Sequence, residues 1–342
     1  MLGSKAGIGI NKWGYCLALK KRGGEAKIAL QRHFEAARSV REALEECLSQ
    51  AKGQGIPRSL SIGLPISYIE LISIKVPELP QEAIRDALRF RLKKMVSRPI
   101  DEYSFDYVEI KREQGAIQFE VYLLDLAIFD ELDNVARRYG RRITAIEPDI
   151  FSISAYLQVH APAYAEGGAM VVAIWHDSVS LGILSEDRIC VSRSINLSLP
   201  ALDQDSQASK EIREEDEGPD QEDLLVRFGI SGGGQDKTED AMTPSNLSLE
   251  EVPEINEVGP NPVLEPTTNP MEEYCQDILV QIMRTRDFYT SVLKMGVVKR
   301  IAIFAPEELG PKVKKCLLEE MAVEVDFMGD PLCRAAMGAA TR

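Results

Sequence analysis

Residues 7–19, GIGINKWGYCLAL, hold the first spacing in this 342-residue chain that could do chemistry. Gly7, Ile8, Gly9 and Ile10 alternate, a polar break runs from Asn11 to Gly14, and Tyr15 to Leu19 is apolar again, which predicts two short strands and a tight turn. Such a hairpin cradles phosphate when small turn residues let backbone N–H groups reach the oxygens and a nearby carboxylate holds magnesium. Here the turn carries Lys12 and Trp13, and no Asp or Glu precedes Glu25. The remaining reactive residues are scattered. His33, His160 and His176 make no metal-ligand spacing; His176 and Asp177 fall in a second hairpin turn and read as solvated. Glu147 and Asp149 straddle Pro148 at a strand-to-helix junction, where helix capping explains them more simply than general-base work. GISGGGQ, residues 229–235, lacks the Lys and Ser or Thr of a phosphate loop and reads as linker. The six cysteines form no C-x-x-C pair, so neither zinc nor a disulfide framework is expected, only reduced and mostly buried thiols.

The elements that must position these residues follow from composition and periodicity. With 44% hydrophobic and 27% charged residues, the chain has the apolar material for about two globular domains. Its net charge of −14 sits entirely in residues 201–270, which hold 18 acidic and 4 basic residues; the rest balances at 36 of each. That segment is rich in Gly, Pro, Ser and Asn and is expected to be a disordered acidic insert, with only LLVRFGI (224–230) apolar enough to dock. No apolar run reaches membrane-spanning length and no signal peptide opens the chain, so a cytoplasmic location is expected, without direct membrane insertion. No basic patch is interleaved with aromatics, and an acidic chain repels nucleic acid.

Before the insert the pattern predicts strands at 26–34, 59–65, 69–76, 102–110 and 117–126, with helices at 40–51, 78–96 and 129–140, then a strand, a turn at Pro148 and a helix over 143–159. In the second helix Ile84, Ala87, Leu88, Leu92 and Met95 form the predicted apolar stripe, with Arg85, Arg89, Lys93 and Lys94 away from it. Three more strands (169–175, 178–184, 188–195) precede the insert; a long helix (272–295), a strand (297–305), a helix, a short strand and a last helix follow it. Both halves open with a hairpin and a third strand, which predicts a duplicated α/β fold. The boundaries are 1–160 for the first domain, including a small inserted subdomain over 66–140, and 161–342 for the second, interrupted by the insert 201–270.

GLPISYIELISIKVPELPQEAIRDALRFRLKKMVSRPIDEYSFDYV (63–108), DILVQIMRTRDFYTS (277–291) and the closing AAMGAATR resemble the type IV pilus assembly protein PilM family. The likeness spans about 270 residues, everything but the insert, and extends to MSHA biogenesis proteins and the cytosolic part of GspL. It implies a ribonuclease H-like, actin-like ATPase fold with Mg-ATP in the cleft between two domains. Measured against the family pattern, the metal-side carboxylate of the first hairpin falls on Gly9, with Asn11 after it. The second hairpin has Ala173 and Trp175 where Asp and small residues are expected, so Trp175 would fill the phosphate space. The adenosine loop has Ala305 and Pro306 in place of paired glycines. The resemblance therefore implies a pseudo-ATPase with no cofactor, a scaffold of a pilus or type II secretion-like platform. Its implied partner is a single-span, PilN-like inner-membrane protein docking beside residues 66–140; a homodimer is left open. The alternative is a weak, ATP-binding actin-like switch.

Overall fold

A computed structural model describes residues 4–113, 115–164, 167–185, 188–200 and 269–342. The acidic segment 201–268, with LLVRFGI and GISGGGQ inside it, lies outside the described residues.

The opening alternation becomes the hairpin of β1 (Lys5–Asn11) and β2 (Gly14–Lys20), extended by β3 (Ala26–His33). Helix α1 (Val40–Gln50) starts at a capping box, Ser39 accepting from the Glu42 amide while Glu42 reaches back to Ser39 N–H. It leads to β4 (Ser59–Leu64). The small subdomain follows: β5 (Glu70–Pro77), α2 (Gln81–Leu92), β6 (Tyr103–Glu113) and β7 (Ala116–Asp125). Helix α3 (Leu126–Arg138), capped by Asp125, begins three residues before its predicted start. The first half closes with β8 (Arg142–Pro148) and α4 (Asp149–His160). The second half holds β9 (Ala169–Ile174), β10 (Val179–Ser185), β11 (Arg188–Ile195), α5 (Pro270–Asp287), β12 (Arg300–Phe304), α6 (Gly310–Glu320), β13 (Glu324–Phe327) and α7 (Pro331–Thr341).

The two large sheets repeat one topology. Their orders are β3-β2-β1-β4-β8 and β11-β10-β9-β12-β13, each an antiparallel meander joined to two parallel strands. That is the duplicated ribonuclease H-like arrangement expected of an actin-like ATPase fold, and the third sheet, β5-β7-β6, is the inserted subdomain. Met95, placed by periodicity in the α2 stripe, is instead 43% exposed, because the helix ends at Leu92 and the chain turns away. Ile84, Leu88 and Leu92 do form the buried stripe, against Ile74, Phe105, Phe119 and Val121.

The central packing is an exchange. Helix α4 follows the first sheet but lies against β9, β10 and β11 of the second, while α7 follows the second sheet and lies on β1, β2 and β4 of the first. The helices meet at Gly338, whose missing side chain leaves room for the Ser152 backbone: a Cβ there would fall 1.6 Å from the Ser152 carbonyl oxygen. Ala335, Ala336, Ala339 and Ala340 are buried beside it, which explains the small-residue composition of the last helix.

Candidate functional site

The two hairpin turns meet face to face. Lys12 Nζ lies 2.5 Å from an Asp177 carboxylate oxygen, and the Trp13 and His176 rings pack with centroids 4.4 Å apart. Asn11 is buried and its side chain accepts from Trp13 N–H at 2.8 Å, the local bond that shapes a turn without glycine at its centre. Turn carbonyls are engaged as well: Lys12 and Trp13 accept from the amides of Arg38 and Phe34, and His176 from that of Leu199. Burial lowers the His176 pKa, favouring the neutral ring.

Behind the turns, Asp149 is fully buried at the start of α4. One oxygen accepts from Ile66 N–H at 3.1 Å and Ile150 N–H at 2.8 Å; the other accepts from the Trp175 indole at 2.6 Å. Trp175 also donates to Ser180 at 3.2 Å. Desolvation raises the Asp149 pKa to about 6 against the lowering effect of these bonds. The capping expected of Glu147 and Asp149 is not what the structure shows: α4 has Pro148 at its N-cap with no side-chain cap bond, and Asp149 instead ties the start of α4 to Ile66 and to the second hairpin. Its lone pairs face fixed protein donors, which leaves a magnesium ion poorly served.

The other sequence-selected positions are structural. Gly9 faces α7, and a Cβ built on it would lie 2.1 Å from the Leu332 carbonyl oxygen, so position 9 has no room for a carboxylate in this packing. Ala173 is buried in β9 on the side facing α4. The Ala305 amide donates to Gly329 O at 3.0 Å, and Pro306 O accepts from the amides of Leu309 and Gly310 at 3.0 Å. The structure thus joins Asn11 and Trp175 around one interface, while Ala305 and Pro306 bond to the loops that precede α7 and α6. Among the described residues no group of His, Cys, Asp or Glu could hold a metal ion.

A second site lies beside the small subdomain. A groove of about 590 Å³ runs between Ser104–Val108 of β6 and Ile143–Pro148 of β8, with Tyr122, Leu124, Phe129 and Phe151 as its apolar lining. Both strands are sheet edges: among the described residues, β6 pairs only with β7 and β8 only with β4. Edge backbone is a template for another strand. Arg85 donates to the Phe105 carbonyl at 3.0 Å and packs over the Phe105 ring. Glu147 is buried on the same wall, 3.0 Å from the Arg342 guanidinium, with its pKa raised by desolvation and opposed by Arg342. On the same face of β7 as the groove-lining Tyr122, the Glu120 carboxylate accepts from Tyr122 at 2.6 Å and from Ser192 of β11 at 2.7 Å, which ties β7 to the second half. Burial pushes Glu120 up to about 7. The resemblance implied a partner site beside residues 66–140, but not which residues line the groove; the Glu120 link was not visible in the sequence, because alternation in β7 assigns Glu120 to a solvent face.

No family model matches this sequence, and no curated protein matches it. A chain of a PilM-PilN type IV pilus biogenesis complex is similar over 99% of this chain and 98% of its own, at 13% identity and a TM-score of 0.59. A Bacteroides thetaiotaomicron protein with actin-like ATPase fold and unknown function aligns over 98% and 95%, at 8% identity and 0.48. The cytoplasmic domain of EpsL, an inner membrane component of the type II secretion system of Vibrio cholerae, aligns over 57% and 71%, at 14% and 0.40. The first likeness runs through both halves and the small subdomain, and it establishes a shared fold.

Proposed function

From that shared fold, we propose that this chain is a PilM-like, non-catalytic scaffold on the cytoplasmic side of an inner-membrane pilus or secretion platform, holding a short extended segment of a single-span membrane partner. The observation that carries the reading is the pairing of a closed cleft with an open groove. Where an actin-like ATPase would hold nucleotide, the turns are drawn together by Lys12–Asp177 and Trp13–His176, and the Asp149 carboxylate is committed to Ile66, Ile150 and Trp175. Where a peptide could be held, two unpaired strand edges flank apolar walls. A strand added to β6 or β8 would gain main-chain hydrogen bonds, and side chains on one of its faces would drop into the groove.

The test has two arms. Calorimetric titration with Mg-ATP should show no binding below millimolar concentration. Ala145→Arg, which places a long charged chain into the groove from a partly exposed position on β8, should cut co-sedimentation with membranes carrying the single-span partner at least tenfold. A micromolar ATP constant would replace the scaffold with the nucleotide switch, and unimpaired recruitment of Ala145→Arg would move the partner out of the groove.

A further inference from the structure

Helix α2 changes character along its length. Its first turns carry Glu82 and Asp86; from Ala87 to Ile100 there is no acidic residue and there are five cations, Arg89, Arg91, Lys93, Lys94 and Arg98. Arg89 pairs with Asp101, and Arg98 with Asp125 and Glu102. Arg91, Lys93 and Lys94 are exposed and have no ion pair among the described residues, and Lys94 sits 5.3 Å over the Phe90 ring. Phe90 is 65% exposed, the most exposed large apolar side chain among the described residues, and Met95 in the following turn is 43% exposed. Cations in a last helical turn complement the helix dipole. The dipole does not account for a bare phenylalanine and methionine set among them.

We propose that this end of the small subdomain rests on an anionic phospholipid surface. Phe90 and Met95 enter the headgroup boundary while Arg91, Lys93 and Lys94 meet the phosphates. The combination of apolar anchors and unpaired cations of one sign is the chemistry of a peripheral membrane contact. It is a contact and not a span: among the described residues no helix is long and apolar enough to cross a membrane. The same helix reaches the groove through Arg85, so a chain lying this way would bring the groove close to a partner's first cytoplasmic residues.

Vesicle co-sedimentation of the full chain tests this without any partner protein, so its failure leaves the groove reading standing and the reverse also holds. Vesicles of equal phosphatidylcholine and phosphatidylglycerol should sediment the protein in a salt-sensitive manner, and phosphatidylcholine alone should not. Each basic residue at such a surface is worth roughly a factor of five, so changing Arg91, Lys93 and Lys94 together to Gln should weaken binding on the order of 100-fold. Phe90→Ser with Met95→Ser should weaken it at least tenfold; all five positions are exposed, and circular dichroism should show unchanged folding. Equal binding to both vesicle types, or a triple variant that sediments like the wild type, overturns the proposal. Binding lost with the cations but indifferent to Phe90 and Met95 also overturns it, and reduces the contact to electrostatic adsorption without entry of apolar side chains.

Discussion

Replacing Gly9 by alanine is the sharpest probe of whether the first hairpin has room for a side chain at position 9. The added Cβ would lie 2.1 Å from the Leu332 carbonyl oxygen, against an ordinary contact of 3.4 Å or more, so the α7 backbone must retreat by the difference, about 1.3 Å. The helix has little freedom to do so. It is seated on Gly7, where a Cβ would fall 2.2 Å from Ala336 O, and locked against α4 at Gly338. Overpacking a well-filled core costs about 1–3 kcal/mol, and an obstacle made of backbone places this case at about 3 kcal/mol or above. Gly63→Ala is the control: its nearest neighbours are the Ser152 hydroxyl at 3.1 Å and the Ala335 Cβ at 3.3 Å, which can yield by tenths of an ångström, so about 1 kcal/mol or less is expected. Urea unfolding followed by circular dichroism gives both values from midpoints at a common slope. A Gly9→Ala variant within about 0.5 kcal/mol of wild type would refute the reasoning, since surface-like tolerance is incompatible with that contact. Gly9→Asp, which supplies the carboxylate that the family resemblance implies for this position, adds a charge to the same overlap and should destabilise further without gaining Mg-ATP binding.

Two further outcomes follow from the buried carboxylates. Trp175→Phe keeps the ring but removes the N–H that satisfies Asp149, and should lower stability by about 1–3 kcal/mol in the same urea assay; no measurable loss would show that the Asp149–Trp175 bond does not hold the halves together. Glu120, raised to about 7 from the ordinary carboxylate value, is harder to ionise folded than unfolded, so its contribution is most favourable below about pH 4.5 and is lost as pH rises to 7, by roughly 3 kcal/mol at most. Glu120→Gln should flatten the fall in stability between pH 6 and 7.5; a slope unchanged by the substitution would refute the assignment, while a decline at lower pH that persists belongs to Asp149 and Glu147, whose carboxyls burial also pushes up.

Much of the fold was legible because strand and helix periodicity survive in short windows. The hairpin at residues 7–19, the strands of both meanders and the Ile84, Leu88, Leu92 stripe all sit where alternation and 3.6-residue spacing put them. What burial pattern alone cannot say is against which surface an element is buried. Helix α4, with Ile150, Ser152, Ile153, Ser154, Ala155 and Leu157 all buried, has no single apolar face, and that was the available sign of a helix enclosed on several sides. The site was legible only as a set of departures from the family pattern. Gly9, Ala173, Trp175 and Pro306 could be named, but not what they do instead, since Trp175 finds Asp149 across 26 residues and Glu120 finds Ser192 across 72. The groove arises between two sheet edges from separate stretches of chain, and the exposed Phe90 and Met95 depend on where α2 stops.

The exchanged helices also set the order in which this protein can become itself. The first sheet is assembled from residues made early, yet the helix that seals Gly7 and Gly9 is made hundreds of residues later. Until α7 arrives, one face of β1, β2 and β4 is uncovered, and α4 waits for a sheet not yet synthesised. Domain-by-domain folding during synthesis, the usual protection of a long chain, is therefore denied to the first half. Its closure depends on contacts between residues hundreds of positions apart, a topology that slows folding. For the same reason the two halves, expressed as separate chains, should each be poorly soluble alone and should recover structure when mixed, each supplying the helix the other lacks.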